Sequence, residues 1–319
     1  MNTAASTLFL LLGLVVSQPS SGRHPALPVD VTMVVPPGEH ALAPTRAVAV
    51  PGRILLVATA GTGGLWRVGL EDGRGARLDV PHSLGDIAVT SDGSIWGIGD
   101  RTPWLFRFDP QGREQHRERL PAPGIAVATL GDDLIIAVSP PSNTMKVLWR
   151  WDGSRLRPWA LNPERSRHPV GRMLLNWVSL APTPTGVAVV WSLFRPDLAM
   201  LDRTGVETRR HSLPLWGVEP TVFSPEEAAV AGLEGVARTY ADLVFAQGSL
   251  WLLSFGDRHP EDGSPSRGRH LARVDLATGT VEYRQLPGEF RVVAADTDGI
   301  LLLVDEYLGV STLAAEIPR

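Results

Sequence analysis

The segment Leu105–Gly112 reads LFRFDPQG, and its pattern decides the fold because it recurs along the chain. The other copies are Leu65–Gly73 (LWRVGLEDG), Leu148–Gly153 (LWRWDG), Leu198–Gly205 (LAMLDRTG) and Leu271–Gly279 (LARVDLATG). Four of the five place an Asp four residues after the Leu: Asp109, Asp152, Asp202 and Asp275. Alternating side chains followed by Asp and Gly describe a strand running into a hairpin turn. A charged stretch follows each turn, and three of these end in Leu-Pro, at Leu120-Pro121, Leu213-Pro214 and Leu286-Pro287. A polar strand stopped by Pro belongs at an exposed sheet edge, where a missing N–H costs nothing.

Two apolar strands around a tight turn precede each copy. Examples are Ile87–Thr90 with Ile95–Gly99, Ile125–Thr129 with Leu134–Val138, and Leu243–Ala246 with Leu250–Ser254. A sixth such pair, Val292–Ala295 with Ile300–Val304, follows the last copy. The unit is therefore four antiparallel strands over roughly 40 residues, within the range of repeat arrays. Hydrophobicity falls from the first strand to the fourth, as it does from axis to rim of a β-propeller. The sixth unit stops after a third strand near Val310–Ala314, and Val31–Val35 (VTMVV) supplies the missing fourth. That strand closes the ring and removes two open edges. In this pattern residues 31–319 resemble the six-bladed β-propeller superfamily, in the loose company of NHL-repeat and TolB-like proteins. The expected class is all-β, a six-bladed propeller of four-stranded antiparallel blades closed by the N-terminal strand.

Composition agrees with this reading. Of 319 residues, 44% are hydrophobic, enough for a large core and too many for a disordered chain. The 32 Gly and 27 Pro favour many short elements joined by turns. A net charge of −4 gives no basic surface of the kind that binds nucleic acid. The absence of Cys excludes disulfides, thiolate metal sites and cysteine nucleophiles. Leu8–Val16 (LFLLLGLVV) is too short to span a bilayer and reads as the core of a signal peptide over residues 1–17. Residues 18–30 then form a linker, and the mature chain is expected in a secreted or periplasmic setting without stable membrane insertion.

The function signals lie where the repeat is interrupted. Insertions fall at Asn162–Trp177, rich in Arg, at Leu215–Asp242, and at Gly256–His270. Within the second, Ser224-Pro225-Glu226-Glu227 reads as a helix start. Blades two and five both end their second strand in Gly-Asp-Arg, placing Asp100, Arg101, Asp257 and Arg258 in corresponding loops, with Arg195 and Tyr307 in those of blades four and six. These six are the candidate ligand-binding residues, since guanidinium forks suit an anionic ligand. Asp86, Asp242, Asp305 and Glu306 are expected around the channel mouth. Asp86 and Asp242 invite a calcium or magnesium ion, although their facing blades set them too far apart to hold one ion directly. The eight His show no metal spacing, and no phosphate-binding or nucleophile motif stands in its proper context. Trp104, Trp177 and Trp216 lie near loops, whereas Trp66, Trp96, Trp149, Trp151, Trp191 and Trp251 fall in strands and read as core.

The leading reading is an exported, non-enzymatic propeller that binds a protein partner or a small anionic ligand at its loop-rich face. The alternative is a metal-assisted hydrolase or lyase, of the kind found among propeller lactonases and lyases, acting in the central channel.

Overall fold

The computed structural model describes residues 30–32, 44–60, 64–100, 102–191, 197–213, 240–254, 257–258, 265–266 and 268–313. Strand β1 (Asp30–Thr32) comes first and is followed by five consecutive blades. Blade one holds β2 (Pro44–Val50), β3 (Ile54–Thr59), β4 (Gly64–Gly69) and β5 (Gly75–Leu78). Blade two holds β6 (Leu84–Val89), β7 (Ile95–Gly99), β8 (Trp104–Phe108) and β9 (Glu114–Arg119). Blade three holds β10 (Gly124–Leu130), β11 (Asp133–Val138), β12 (Leu148–Trp151) and β13 (Leu156–Ala160). A short helix, α1 (Pro169–Leu175), leads to blade four: β14 (Val178–Thr183), β15 (Gly186–Trp191), β16 (Asp197–Asp202) and β17 (Glu207–Ser212). Blade five comprises β18 (Tyr240–Ala246), β19 (Ser249–Ser254), β22 (His270–Asp275) and β23 (Val281–Gln285), with a small hairpin of β20 (Asp257–Arg258) and β21 (Pro265–Ser266) inserted. Blade six is β24 (Val292–Ala295), β25 (Leu301–Val304) and β26 (Val310–Leu313). Its fourth strand is β1, which pairs antiparallel to β26 with Val31 opposite Ser311. The chain is a six-bladed β-propeller closed by its N-terminal strand.

The period-2 pattern of the inner strands has a direct structural meaning. Along β15, Val187, Val189 and Trp191 pack toward blade three, while Ala188 and Val190 pack toward blade five. Along β11, Ile135 and Ala137 face blade four, whereas Leu134, Ile136 and Val138 face blade two. Both faces of each inner strand are buried between blades, so both must be apolar. Among the described residues the core is accordingly six clusters, one at each blade-to-blade seam. Outer strands such as β9 and β17 face solvent and keep their charges.

The recurring Asp and Gly make the third-to-fourth-strand turn. Asp202 Oδ1 accepts the Thr204 and Val206 N–H groups at 2.8 and 3.0 Å, and Gly205 takes φ +88°. Asp109, Asp152 and Asp275 accept turn N–H groups in the same manner. Each Asp is thus a turn fastener. Hydrogen bonds, from the Ser154 hydroxyl first and then two backbone N–H groups, hold the Asp152 carboxyl down to about 2.

Candidate functional site

Four first strands carry a bulge at the same register: β2 between Pro44 and Arg46, β6 between Leu84 and Asp86, β10 between Gly124 and Ala126, and β18 between Tyr240 and Asp242. A bulge turns the next side chain out of the regular alternation. In blades one, two and five that residue is charged, and all three charges meet on the axis. Arg46 is 8% exposed, Asp86 6% and Asp242 3%. Arg46 Nη1 is bonded to Asp242 Oδ1, and its Nε lies 3.5 Å from Asp86 Oδ1. Nη1 and Nη2 also donate to the carbonyls of Leu243 at 3.0 Å and Leu180 at 3.2 Å, while Nε has no hydrogen-bond partner among the described residues.

Each carboxylate in turn grips two strands. Asp86 accepts the N–H of its neighbour Ile87 and that of Val127 in blade three, both at 2.8 Å. Asp242 accepts Leu243 N–H at 2.8 Å and Val293 N–H in blade six at 3.0 Å. Arg46 belongs to blade one and Leu180 to blade four, so three side chains tie all six blades at the axis. Burial pushes Asp86 up to about 7 against the pull of Arg46 and the two N–H groups, and the nearby Asp242 adds to the rise. Burial raises Asp242 as well. Burial also works against the Arg46 charge, but Asp242 and Asp86 overcome it and hold the guanidinium above its usual pKa.

This hub lies at the loop-rich end of the first strands and forms the inner end of a cavity of about 220 Å³. Ala49, Val89, Thr129, Phe245 and Asp296 line the rest, so the hollow runs from Arg46 toward the hairpin turns of the opposite face.

On the loop-rich face, the insertion between blades three and four is described in full. Arg172 of α1 is buried and donates to Pro141 O (2.7 Å), Ser166 O (3.1 Å), Pro140 O (3.2 Å) and Asn143 Oδ1 (3.3 Å). Asn176 accepts Glu164 N–H at 2.8 Å and donates to Arg172 O at 2.8 Å and Glu164 O at 3.2 Å. Two loops are thereby fixed to each other and to the helix. They carry Arg165, Arg167 and His168 exposed at the lip. Over 162–177 the chain has three Arg and one His against one Glu, a cationic stretch on a molecule of net charge −4.

No protein-family model and no curated protein matches this chain. Solved structures do match. One is virginiamycin B lyase from Staphylococcus aureus, with 10% identity and a TM-score of 0.57 over 90% of this chain and 99% of that one. A second is the PQQ-bound aldose sugar dehydrogenase from Streptomyces coelicolor, 14% identical, with a TM-score of 0.54 over 91% and 99%. A third is the WD40 propeller domain of Doa1, 10% identical, with a TM-score of 0.54 over 91% and 98%. The likeness is one of fold.

The expected site residues are distributed unevenly. Asp86 and Asp242 are buried in the hub at the loop-rich end of the first strands, where the bulges turn them inward and their N–H partners hold them. The gap between them is filled by the Arg46 guanidinium, which stands where a calcium or magnesium ion bridging them would stand, so such an ion does not fit there. Asp305 is a turn residue, its carboxylate accepting the Tyr307 and Gly309 N–H groups at 2.8 Å. Glu306 pairs with Arg291 at 2.5 Å, and Tyr307 is 54% exposed. Asp100 follows blade two's second strand in the turn, its N–H on Ser83 O at 2.9 Å. Asp257 and Arg258 form β20, paired with Ser266 and Pro265. Arg101, Arg195, Trp216 and the expected helix start at Ser224 lie outside the described residues. No group of three or more His, Asp or Glu able to hold a metal occurs among the described residues. No helix among them is long and apolar enough to cross a membrane.

Of the strand tryptophans, Trp96, Trp151, Trp191 and Trp251 are buried in the core, while Trp66 and Trp149 are half-buried. Trp104, expected near a loop, packs at the edge of the blade one–two seam beneath Arg117.

The residues that sequence reasoning missed are Arg46, Arg172 and Asn176. Arg46 had a signal, being the one charge inside the apolar strand PTRAVAV, at the position where blades two and five carry Asp.

Proposed function

We propose that this chain is an exported, non-enzymatic propeller that binds an anionic partner, protein or small molecule, on the loop-rich lip between blades three and four. The observation that carries this reading is the lip itself. Its backbone is fastened from below by Arg172 and Asn176, while Arg165, Arg167 and His168 stand exposed above. Pre-ordered loops lose less entropy on association, and guanidinium forks suit carboxylate or phosphate. The commitment of Asp86 and Asp242 to Arg46 and to backbone N–H groups supports binding over channel catalysis, since neither carboxylate is left to act as a base.

The test is binding of an acidic probe, poly-glutamate, to the mature chain by titration calorimetry. Tight binding that weakens as salt rises and drops at least tenfold in Arg165→Glu/Arg167→Glu is the expected result. Binding untouched by that double substitution overturns the reading.

A further inference from the structure

Four blades carry an Arg at the same place in the third strand: Arg67, Arg107, Arg150 and Arg273. They lie opposite Leu56, Trp96, Ile135 and Trp251 of the second strand. In three blades the Nε donates to the residue two positions before that partner. Arg107 reaches Ser94 Oγ at 3.1 Å, Arg150 reaches Asp133 Oδ2 at 2.5 Å, and Arg273 reaches Ser249 Oγ at 3.1 Å. Two of them also lie over their opposite Trp, Arg107 on Trp96 at 5.6 Å and Arg273 on Trp251 at 5.8 Å. In blade one the acceptor position is Ile54 and the opposite residue is Leu56. Neither can accept a hydrogen bond or offer a ring. Arg67 is exposed, and no hydrogen bond or ion pair engages its side chain among the described residues.

Two cavities meet at this unengaged guanidinium. One, of about 460 Å³, is a crevice between blades one and two on the hairpin face, walled by Val48, Val50, Ile54, Val89 and Ile95. The other, of about 440 Å³, lies over the turns of blade one and contains Arg53, Arg74, Glu71 and Asp72. Ile54 and Arg67 line both. The polar cavity, Arg67 included, has three guanidinium groups against two carboxylates, and Arg53 is already turned toward Glu71 at 3.7 Å. The apolar crevice shares Val48 and Val89 with the axial cavity, so its wall continues toward the channel.

We propose that Arg67 and the crevice form a binding site for an amphipathic monocarboxylate, with the head on the guanidinium and the alkyl chain along Val48, Val50 and Val89. The same repeat that satisfies this Arg internally in three blades leaves it for an external anion in the first. The carboxylate supplies the charge-assisted hydrogen bonds that Ser94, Asp133 and Ser249 supply elsewhere. A mostly apolar hollow with a few polar groups at one end is the usual form of a small-molecule site. It lies on the face opposite the cationic lip and is independent of it.

The experiment uses the full chain with decanoate as probe, and decan-1-ol and acetate as controls, followed by titration calorimetry and thermal unfolding. Decanoate is expected to bind at one site and raise the melting temperature, while acetate does neither. Arg67→Gln should weaken decanoate at least tenfold and leave decan-1-ol unchanged. Ser91→Trp, in an exposed turn on the crevice wall, should weaken both at least tenfold. Circular dichroism confirms that each variant keeps its strands, and Arg165→Glu/Arg167→Glu should bind decanoate as the parent does. The proposal is overturned if the parent chain does not bind decanoate, if both variants bind it unchanged, or if decan-1-ol binds as tightly as decanoate.

Discussion

Arg46 and Arg172 are both buried guanidinium groups, and their surroundings are of opposite character. Arg46 stands between two carboxylates and two carbonyls, so the positive charge is more than consumed at the axis. Arg172 is held by four neutral oxygens and keeps its full charge beneath the lip. The first, with its two carboxylates, fastens six blades and hides its field from solvent. The second fastens two loops and adds its field to those of Arg165 and Arg167. A buried Arg is therefore not one kind of feature: the partner's charge decides whether it serves only the fold or also the surface above it.

The largest expected effect comes from breaking the axial hub. Arg46→Met leaves two buried carboxylates without their cation, and should cost about 3–5 kcal/mol in urea unfolding. Adding Asp86→Asn and Asp242→Asn to it should recover at least half of that loss. An Arg46→Met variant no less stable than the parent would reduce the hub to a bystander. Arg172→Met should cost less, about 1–3 kcal/mol, because it leaves neutral acceptors and not buried carboxylates without a partner. Its distinguishing mark is local: amide exchange should rise over residues 139–147 and 162–177 while blades five and six stay protected.

A third expectation concerns pH and separates the two arginines further. The folded-state pKa of Asp86 is raised to about 7, above its unfolded value of about 3.9. The folded chain therefore holds this proton more tightly, and the stability so contributed is lost as pH rises from about 4 to about 7. Going down from pH 7 to 6 should add up to about 1.4 kcal/mol of stability, measured by denaturant midpoint. Asp86→Asn should flatten that slope, and Arg172→Met should leave it unchanged. The smallest effect belongs to the lip. Arg165→Glu alone should shift stability by no more than ~0.5 kcal/mol, so a loss of anion binding in that variant reports the surface and not the fold.

The blade plan was legible because it repeats. Copies such as LFRFDPQG expose strand alternation, turn Asp and turn Gly together, and the fall in hydrophobicity from β11 to β13 maps directly onto distance from the axis. Even the closing strand was visible, since blade six lacked a fourth. The site was less legible, because its residues depart from the repeat one at a time. Asp86 and Asp242 stood out as charges at strand starts, but their inward turn depends on bulges at Gly85 and Ala241 that no periodicity announces. Arg46 was hidden by its apolar neighbours, and Arg172 by a helix too short to show a 3.6-residue rhythm. Arg67 looked like the Arg of three other copies, Arg107, Arg150 and Arg273. Only its missing acceptor, Ile54 in place of Ser or Asp, sets it apart, and that comparison needs the cross-strand register.

Ring closure by β1 also imposes an order of events. Five blades are each made of strands that follow one another along the chain, so each can assemble as soon as its own segment is available. Blade six cannot, because Asp30–Thr32 must find Val310–Leu313 across nearly the whole length of the polypeptide. Closing so long a loop is entropically expensive and slow. Until it happens, β26 offers an open edge to any neighbouring chain. The seam at blade six is thus the last part of the ring to form and the first place where it opens.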